Sequence, residues 1–321
     1  LIGATADEIV FTGSATEANN LALLGFARAA PLDKRHLIVS AVEHPAVMQP
    51  ALHLRDEGWD LTVLPVDEFG RVALDDLRAA LRPDTALVSV MHANNEVGTI
   101  QPVAEIAALA RANGSIVHTD AAQSTGKVQL DVGELGVDLL TLAGHKFYAP
   151  KGIGALYIRR GTAIKPILFG ADQEHGLRPG TENVVHIVGL GEAARLARAR
   201  LPHATQHLAA LRNDLHRKLA DAVPGLALNG HPERRLPNTL HVSFPGVAGR
   251  DLLAAAREVA ASVGSACHSD ADAVSGVLAA MGCDAARARG AVRLSVGFPT
   301  AAREIDLAAS SLVAAWRALA P

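Results

Sequence analysis

Short apolar runs alternate with helical periodicity from residue 8 to about residue 160. Glu8-Ile9-Val10-Phe11 predicts a strand and residues 15–29 a helix. His36-Leu37-Ile38-Val39-Ser40 predicts a strand, 45–57 a helix, and 61–64, 86–90 and 115–119 further strands. Helical stretches at 74–81 and 102–112 fall between them, and 137–142 and 155–158 close the series. Alternation of this kind predicts an α/β fold, a mostly parallel sheet with helices on both faces.

The pattern changes after about residue 186. A long Ala/Leu/Arg-rich stretch, 187–221, predicts one long helix that Pro224-Gly225 breaks. A strand at 238–243, a helix at 250–257, a Gly-rich turn, a helix at 274–281, a strand at 291–295 and a terminal helix at 302–319 follow. The expectation is a large domain over 1–190 and a smaller α+β domain over 191–321. The start, Leu1-Ile2-Gly3-Ala4, lacks Met and has the character of a helix already under way, so residues upstream of Leu1 are expected to be missing from the chain.

Composition narrows the classes. Hydrophobic residues make up 49% and charged residues 20% of the 321, which predicts a folded rather than a disordered chain. The formal net charge of -3 argues against nucleic-acid or anionic-membrane partners. No apolar run reaches the roughly 20 residues that span a bilayer. The two cysteines, Cys267 and Cys283, do not make a disulfide framework, which favours a reducing, cytoplasmic setting. The 14 histidines form no zinc-binding pattern, so no metal site is expected.

Four places carry candidate chemistry. Thr12-Gly13-Ser14-Ala15-Thr16-Glu17 joins a strand end to a helix start, which suits either an anion site or an ordinary capped helix. Asp120, in His118-Thr119-Asp120-Ala121, ends an apolar run. There it either caps the next helix or offers a buried carboxylate to a cation such as a protonated pyridine. Lys146, in Gly144-His145-Lys146-Phe147, follows the next strand, 26 residues later. A lone lysine is usually a solvated surface group, but an acid and a lysine at successive strand ends fit a cofactor needing both an electron sink and an imine. Cys267, in Gly264-Ser265-Ala266-Cys267-His268, sits among small and polar residues, as an exposed, reactive cysteine would. Cys283 is expected to be incidental.

Together these stretches resemble the class V aminotransferase group of fold-type-I pyridoxal 5'-phosphate (PLP) enzymes, and within it the cysteine desulfurases and selenocysteine lyases. The resemblance runs from Glu8 to about residue 311. It is most specific at Asn94-Asn95-Glu96-Val97-Gly98, at His118 to Gln123, at Gly144 to Tyr148, at Arg178-Pro179-Gly180-Thr181-Glu182-Asn183, at Gly264 to Cys267 and at Val292-Arg293-Leu294-Ser295.

The resemblance implies a role for each matching position. Lys146 makes the imine with the cofactor. Asp120 pairs with the pyridinium nitrogen and Gln123 with the ring oxygen. His44 stacks on the ring, and Asn95 contacts the ring-oxygen side and the substrate. Ala15, Thr16 and His145 hold the phosphate, and Thr181 reaches the phosphate site of the other subunit of a homodimer. Arg293 grips the substrate carboxylate. Cys267 receives the sulfur from L-cysteine, or selenium from L-selenocysteine, and hands it to an acceptor protein such as an iron–sulfur scaffold. A class V aminotransferase would need Lys146 and Asp120 but not Cys267.

The chain departs from the family pattern in places. Gly13-Ser14-Ala15-Thr16 stands where relatives usually read Ser-Gly-Ala-Thr, and Ala143 where many have a phosphate-binding serine. Ala171-Asp172 replaces a pair of glycines, and His175 replaces an arginine.

Overall fold

The structure is a computed structural model and describes residues 1–264 and 275–320. The chain forms two compact units. One comprises Leu1–Pro65, Val72–Ala93 and Gln101–Leu201; the other Val66–Arg71, Asn94–Ile100 and Pro202–Pro321.

The first unit is built on a seven-stranded sheet. Its strands are β1 (Ile9–Thr12), β2 (His36–Ser40), β3 (Asp60–Leu64), β4 (Thr85–Ser89), β5 (Ile116–Asp120), β6 (Leu139–Ala143) and β7 (Gly154–Ile158). Their spatial order is β1-β7-β6-β5-β4-β2-β3. β2 to β6 pair in parallel, and β7 is antiparallel to both β6 and β1. The antiparallel turn has a simple cause. Only a short segment, 144–153, joins β6 to β7, whereas a parallel crossover needs a dozen or more residues. Lys146 lies in that segment.

β2, β4 and β6 are buried along their whole length, as central strands covered on both faces must be. Two strand histidines bridge neighbouring strands by their rings. His36 meets Thr85 and Thr62 hydroxyls, and His118 meets those of Ser89 and Thr141. Burial pushes the His118 ring down to about 3, so it is a neutral spacer in β5.

The helices of this unit are α1 (Ala15–Asn20), α2 (Pro45–Asp56), α3 (Leu74–Ala80), α4 (Val103–Ala112), α5 (Val132–Leu135) and the first half of α6 (Val184–Ala222). In α4 the buried residues Val103, Ile106, Ala107 and Ala110 recur at helical spacing. The helix expected over 15–29 is not uniform. It widens into a π-helical turn over Leu21–Gly25, where the Gly25 carbonyl accepts from Lys165 N–H at 3.0 Å. The chain start is irregular rather than helical, with Ile2 buried and its carbonyl accepting from Val132 N–H at 2.9 Å.

The second unit carries an antiparallel sheet in the order β10-β9-β8: β8 (Ala227–Leu228), β9 (Thr239–Ser243) and β10 (Ala291–Ser295). Its other helices are α7 (Gly249–Ala255), α8 (Gly276–Ala280), α9 (Ala285–Arg289) and α10 (Ala302–Leu319). Leu240, Val242, Val292 and Leu294 pack with Leu215 and Leu219 of α6 and Leu312 of α10 into its core. The alternate residues of the same strands include His241 and Arg293, which are register partners on the other face. No described helix is long and apolar enough to cross a membrane.

Candidate active site

The carboxyl ends of β2, β4 and β5 and the turn after β6 bring the candidate residues of the first unit together. Asp120 closes β5 and is 7% exposed. Asn19 Nδ2 donates to its Oδ2 at 2.7 Å, and Ala122 N–H donates to its Oδ1 at 2.9 Å. Burial raises the Asp120 carboxyl above its ordinary range, while the two donated bonds and the charges of His44 and Lys146 act in the opposite direction. A buried carboxylate held this way calls for a cation.

His44 is the N-cap of α2, and its Nδ1 accepts from Ala46 N–H at 3.0 Å. The ring proton of the neutral imidazole therefore sits on Nε2. Burial lowers its proton affinity, Asp120 raises it and Lys146 lowers it. Lys146 lies in a 3-10 turn, Gly144–Phe147, with an exposed side chain. Its charge also lowers the proton affinity of Lys127 and His145. Asp120, His44 and Lys146 thus share one electrostatic environment.

Gln123 lies in the turn after Asp120, and its carbonyl accepts from Lys127 Nζ at 2.7 Å. Ala15 and Thr16 open α1, and Asn19 lies on the same short helix. Ser14 Oγ caps that helix by accepting from Glu17 N–H at 3.1 Å. Gly154 of β7 lies close behind this loop: a Cβ there would stand 2.7 Å from the Ser14 carbonyl carbon and 3.0 Å from Ala15 N. Ala143 is buried at the end of β6.

Thr181 is exposed, in the loop that begins at Arg178. Arg178 Nε pairs with Glu17 Oε1 at 2.8 Å, and Glu17 Oε2 accepts from Gly13 N–H at 2.8 Å. The segment that departs from the family at 171–175 takes an unusual shape. Glu174 and His175 are left-handed, with φ of 50° and 59°, and Glu174 Oε2 accepts from Phe11 N–H at 2.8 Å.

Asn95 and Arg293 belong to the second unit, where Arg293 Nη1 donates to the Asn95 carbonyl at 2.8 Å. Burial lowers the Arg293 proton affinity and Glu96 raises it. Glu96 is buried, and Ser275 Oγ donates to its Oε2. Cys267 lies outside the described residues. Cys283 is half-buried, and burial pushes its thiol up, away from the reactive thiolate form.

The family profile described as "Aminotransferase class-V" matches residues 1–307. The chain belongs to the class-V aminotransferases. Within that family it is 44% identical to the cysteine desulfurase IscS of Dictyoglomus turgidum, over 95% of this chain and 78% of that protein. It is also 44% identical to the mitochondrial cysteine desulfurase of Arthroderma benhamiae, over 95% of this chain and 61% of that one. A solved structure described as a NifS-like protein superposes with a TM-score of 0.90 at 36% identity, covering 97% of this chain and 83% of that one. These likenesses place the class-V chain among the cysteine desulfurases.

PLP is the cofactor of this family, and the residues present fit it. Asp120 is a buried carboxylate that lacks a cation on its own strand, and a protonated ring nitrogen supplies one. Next to it, Asn19 Oδ1 is buried without a hydrogen-bond partner among the described residues.

Three groups of this class-V site were not singled out from the sequence: Asn19, Glu43 and Lys127. Each had a faint signal. Asn19 is a polar residue within an amphipathic helix, and Glu43 is an acid directly after Ala41-Val42. Lys127 follows Asp120 by seven residues. Burial, with a smaller push from Lys146, brings the Lys127 ammonium down to about 7.

Proposed function

We propose that the protein is a PLP-dependent cysteine desulfurase that converts L-cysteine to L-alanine and carries the sulfur as a persulfide on Cys267. The observation that carries this reading is the grouping of Asp120, His44 and Lys146 at the strand ends of a class-V fold. Bound PLP supplies an aldehyde for the substrate amine and a protonated ring that draws electron density from the substrate Cα.

Asp120 holds the proton on the ring nitrogen through its carboxylate, kept in place by Asn19 and Ala122 N–H. His44, neutral and with its proton on Nε2, offers a flat ring for stacking. Gln123 and Asn95 serve the ring-oxygen side. Ala15, Thr16 and His145 hold the phosphate, and Gly154 leaves room for the loop carrying the first two. Lys146 Nζ, once its amine is free, moves the proton at the substrate Cα. Arg293 takes the substrate carboxylate, its guanidinium anchored on the Asn95 carbonyl.

Cys267 Sγ forms a bond to the substrate sulfur as the carbon–sulfur bond breaks. Cysteine and the enzyme thiol become alanine and the enzyme persulfide, with no external oxidant. The persulfide then goes to an acceptor protein, for iron–sulfur cluster or other sulfur-containing biosynthesis. This chemistry needs a free thiol, so the reading sets the enzyme in a reducing, cytoplasmic compartment. A homodimer is part of the same reading. Its support is the exposed apolar start of α6, at Val184, Val185 and Val188, beside the loop bearing Thr181.

The deciding experiment incubates the purified protein with PLP, L-cysteine and a reductant. Sulfide and alanine in equal amounts are expected. 3-Mercaptopyruvate with a loaded amino cofactor, and no sulfide, would make it a transaminase instead.

A further inference from the structure

Glu43 lies between β2 and α2, directly before His44, and is 8% exposed. Its Oε1 accepts from Ser40 Oγ at 2.5 Å and from Met91 N–H at 2.8 Å. Its Oε2 is buried with no hydrogen-bond partner among the described residues. Ser40 ends β2, and Met91 follows β4, so one oxygen joins the exits of two neighbouring strands. The next residue, His92, donates its N–H to the Asp120 carbonyl at 2.9 Å. The Met91-His92 strip is therefore tied to Glu43 on one side and to Asp120 on the other.

This geometry bears on the charge of Glu43. Ionised, it would leave a negative oxygen buried and unpaired, in the same site as Asp120. Un-ionised, it leaves only one O–H without an acceptor. Burying an unpaired charge costs far more than burying an unpaired hydroxyl.

We propose that Glu43 is a positioning residue that acts as an un-ionised acid, joining the exits of β2 and β4, fixing His44 and leaving Asp120 to supply the negative charge opposite the PLP ring nitrogen. The role rests on the PLP reading given above.

Electrostatics agree with the geometry. Burial, the largest cause, pushes the Glu43 carboxyl up to about 8, and Asp120 raises it further while its two donors lower it. The titratable groups around it are Asp120 at the end of β5, His44 next in the chain, and His92 beside Met91. Burial holds His92 down to about 4 and lowers His44, so neither supplies a fixed cation near neutrality. The sign of the linkage follows. A carboxyl raised from its ordinary 4.5 to about 8 contributes stability that is complete below 4.5 and lost as pH rises to about 8.

The test compares the wild-type holoenzyme with Glu43→Gln and Glu43→Ala. Three quantities are read: PLP dissociation by absorbance titration, the infrared carbonyl band of a protonated acid, and melting temperature against pH. Glutamine copies the un-ionised acid, so E43Q should bind PLP within about twofold of wild type, while E43A should bind about tenfold more weakly. An acid band should be present in wild type near neutral pH and absent from E43Q. Between about pH 5 and pH 8 wild type should lose melting temperature relative to E43Q. Loss of PLP affinity in E43Q equal to that in E43A, with no acid band in wild type, would overturn the proposal. So would an E43A variant with wild-type affinity. A wild-type protein that takes up no PLP would defeat the cofactor reading instead, and the infrared band and melting slope would still judge Glu43. If E43A fails to fold, E43Q and the infrared band decide.

Discussion

Asn19 and Asp120 stand 101 positions apart in the chain and 2.7 Å apart in space, joined by a bond from Asn19 Nδ2 to Asp120 Oδ2. The Asn19 amide and Ala122 N–H each take one carboxylate oxygen, so together they set the plane of the carboxylate.

Removing the amide should loosen the grip on the cofactor. A hydrogen bond to a charged group contributes about 1.5–3 kcal/mol, so Asn19→Ala should weaken PLP binding by roughly ten- to a hundredfold. Asn19→Asp should be worse, because it buries a second carboxylate against the first. Absorbance titration of each apoprotein with PLP measures both.

Gly154 should tolerate no side chain. A Cβ there would lie 2.7 Å from the Ser14 carbonyl carbon and 2.8 Å from the Leu142 carbonyl oxygen, both backbone atoms. Overpacking of this kind costs about 1–3 kcal/mol. Gly154→Ala should lower the melting temperature and PLP affinity together, because the obstructed segment leads into Ala15 and Thr16. A variant that melts as wild type does and binds PLP equally well would show that the loop moves freely.

Lys127 should leave a mark on the pH dependence of stability. Its native proton affinity, down from 10.5 to about 7, means that the unfolded chain binds more protons between those values. Stability linked to this group therefore rises with pH across that window, and the cost of the buried ammonium is complete below about pH 7. Lys127→Met removes the cost and also the bond to the Gln123 carbonyl. Its melting temperature relative to wild type should be highest at pH 7 and below, and should decline steadily toward about pH 10. A constant offset across that range would refute the assignment.

Cys267 and Cys283 should separate cleanly. Cys267→Ser should keep PLP binding and the spectral change on adding L-cysteine, but lose sulfide release by a large factor. Cys283→Ser should be nearly silent, since that thiol is half-buried and held away from its thiolate. Sulfide release from Cys267→Ser at the wild-type rate would rule out the persulfide route.

Much of this architecture was legible along the chain. The β2 run His36–Ser40 falls where predicted, because a strand covered on both faces needs a continuous apolar segment, and the β10 run Ala291–Ser295 does so with Val292 and Leu294 on the core and Arg293 between them on the other face. Asp120 and Lys146 were legible as polar residues directly after such runs, where a parallel sheet presents its ligand-binding edge. The class-V resemblance was carried by motifs whose residue types survive without knowledge of their neighbours.

Other features depended on tertiary structure. The chain pattern alone predicted a helix over 15–29, but the Gly25 carbonyl turns to Lys165, 140 positions later. Lys127 has the composition of a surface lysine, yet burial beside Lys146 brings it to about 7. Glu43 has that of an ordinary acid, yet burial, with a smaller push from the nearby Asp120, raises it to about 8 against the pull of its donors Ser40 and Met91. Periodicity is a local property, set by which face of an element meets the core, and so it can be read from order alone. The partner of Asp120 and the charge of Glu43 depend on which distant groups share a water-poor space, and only the folded chain brings those groups together.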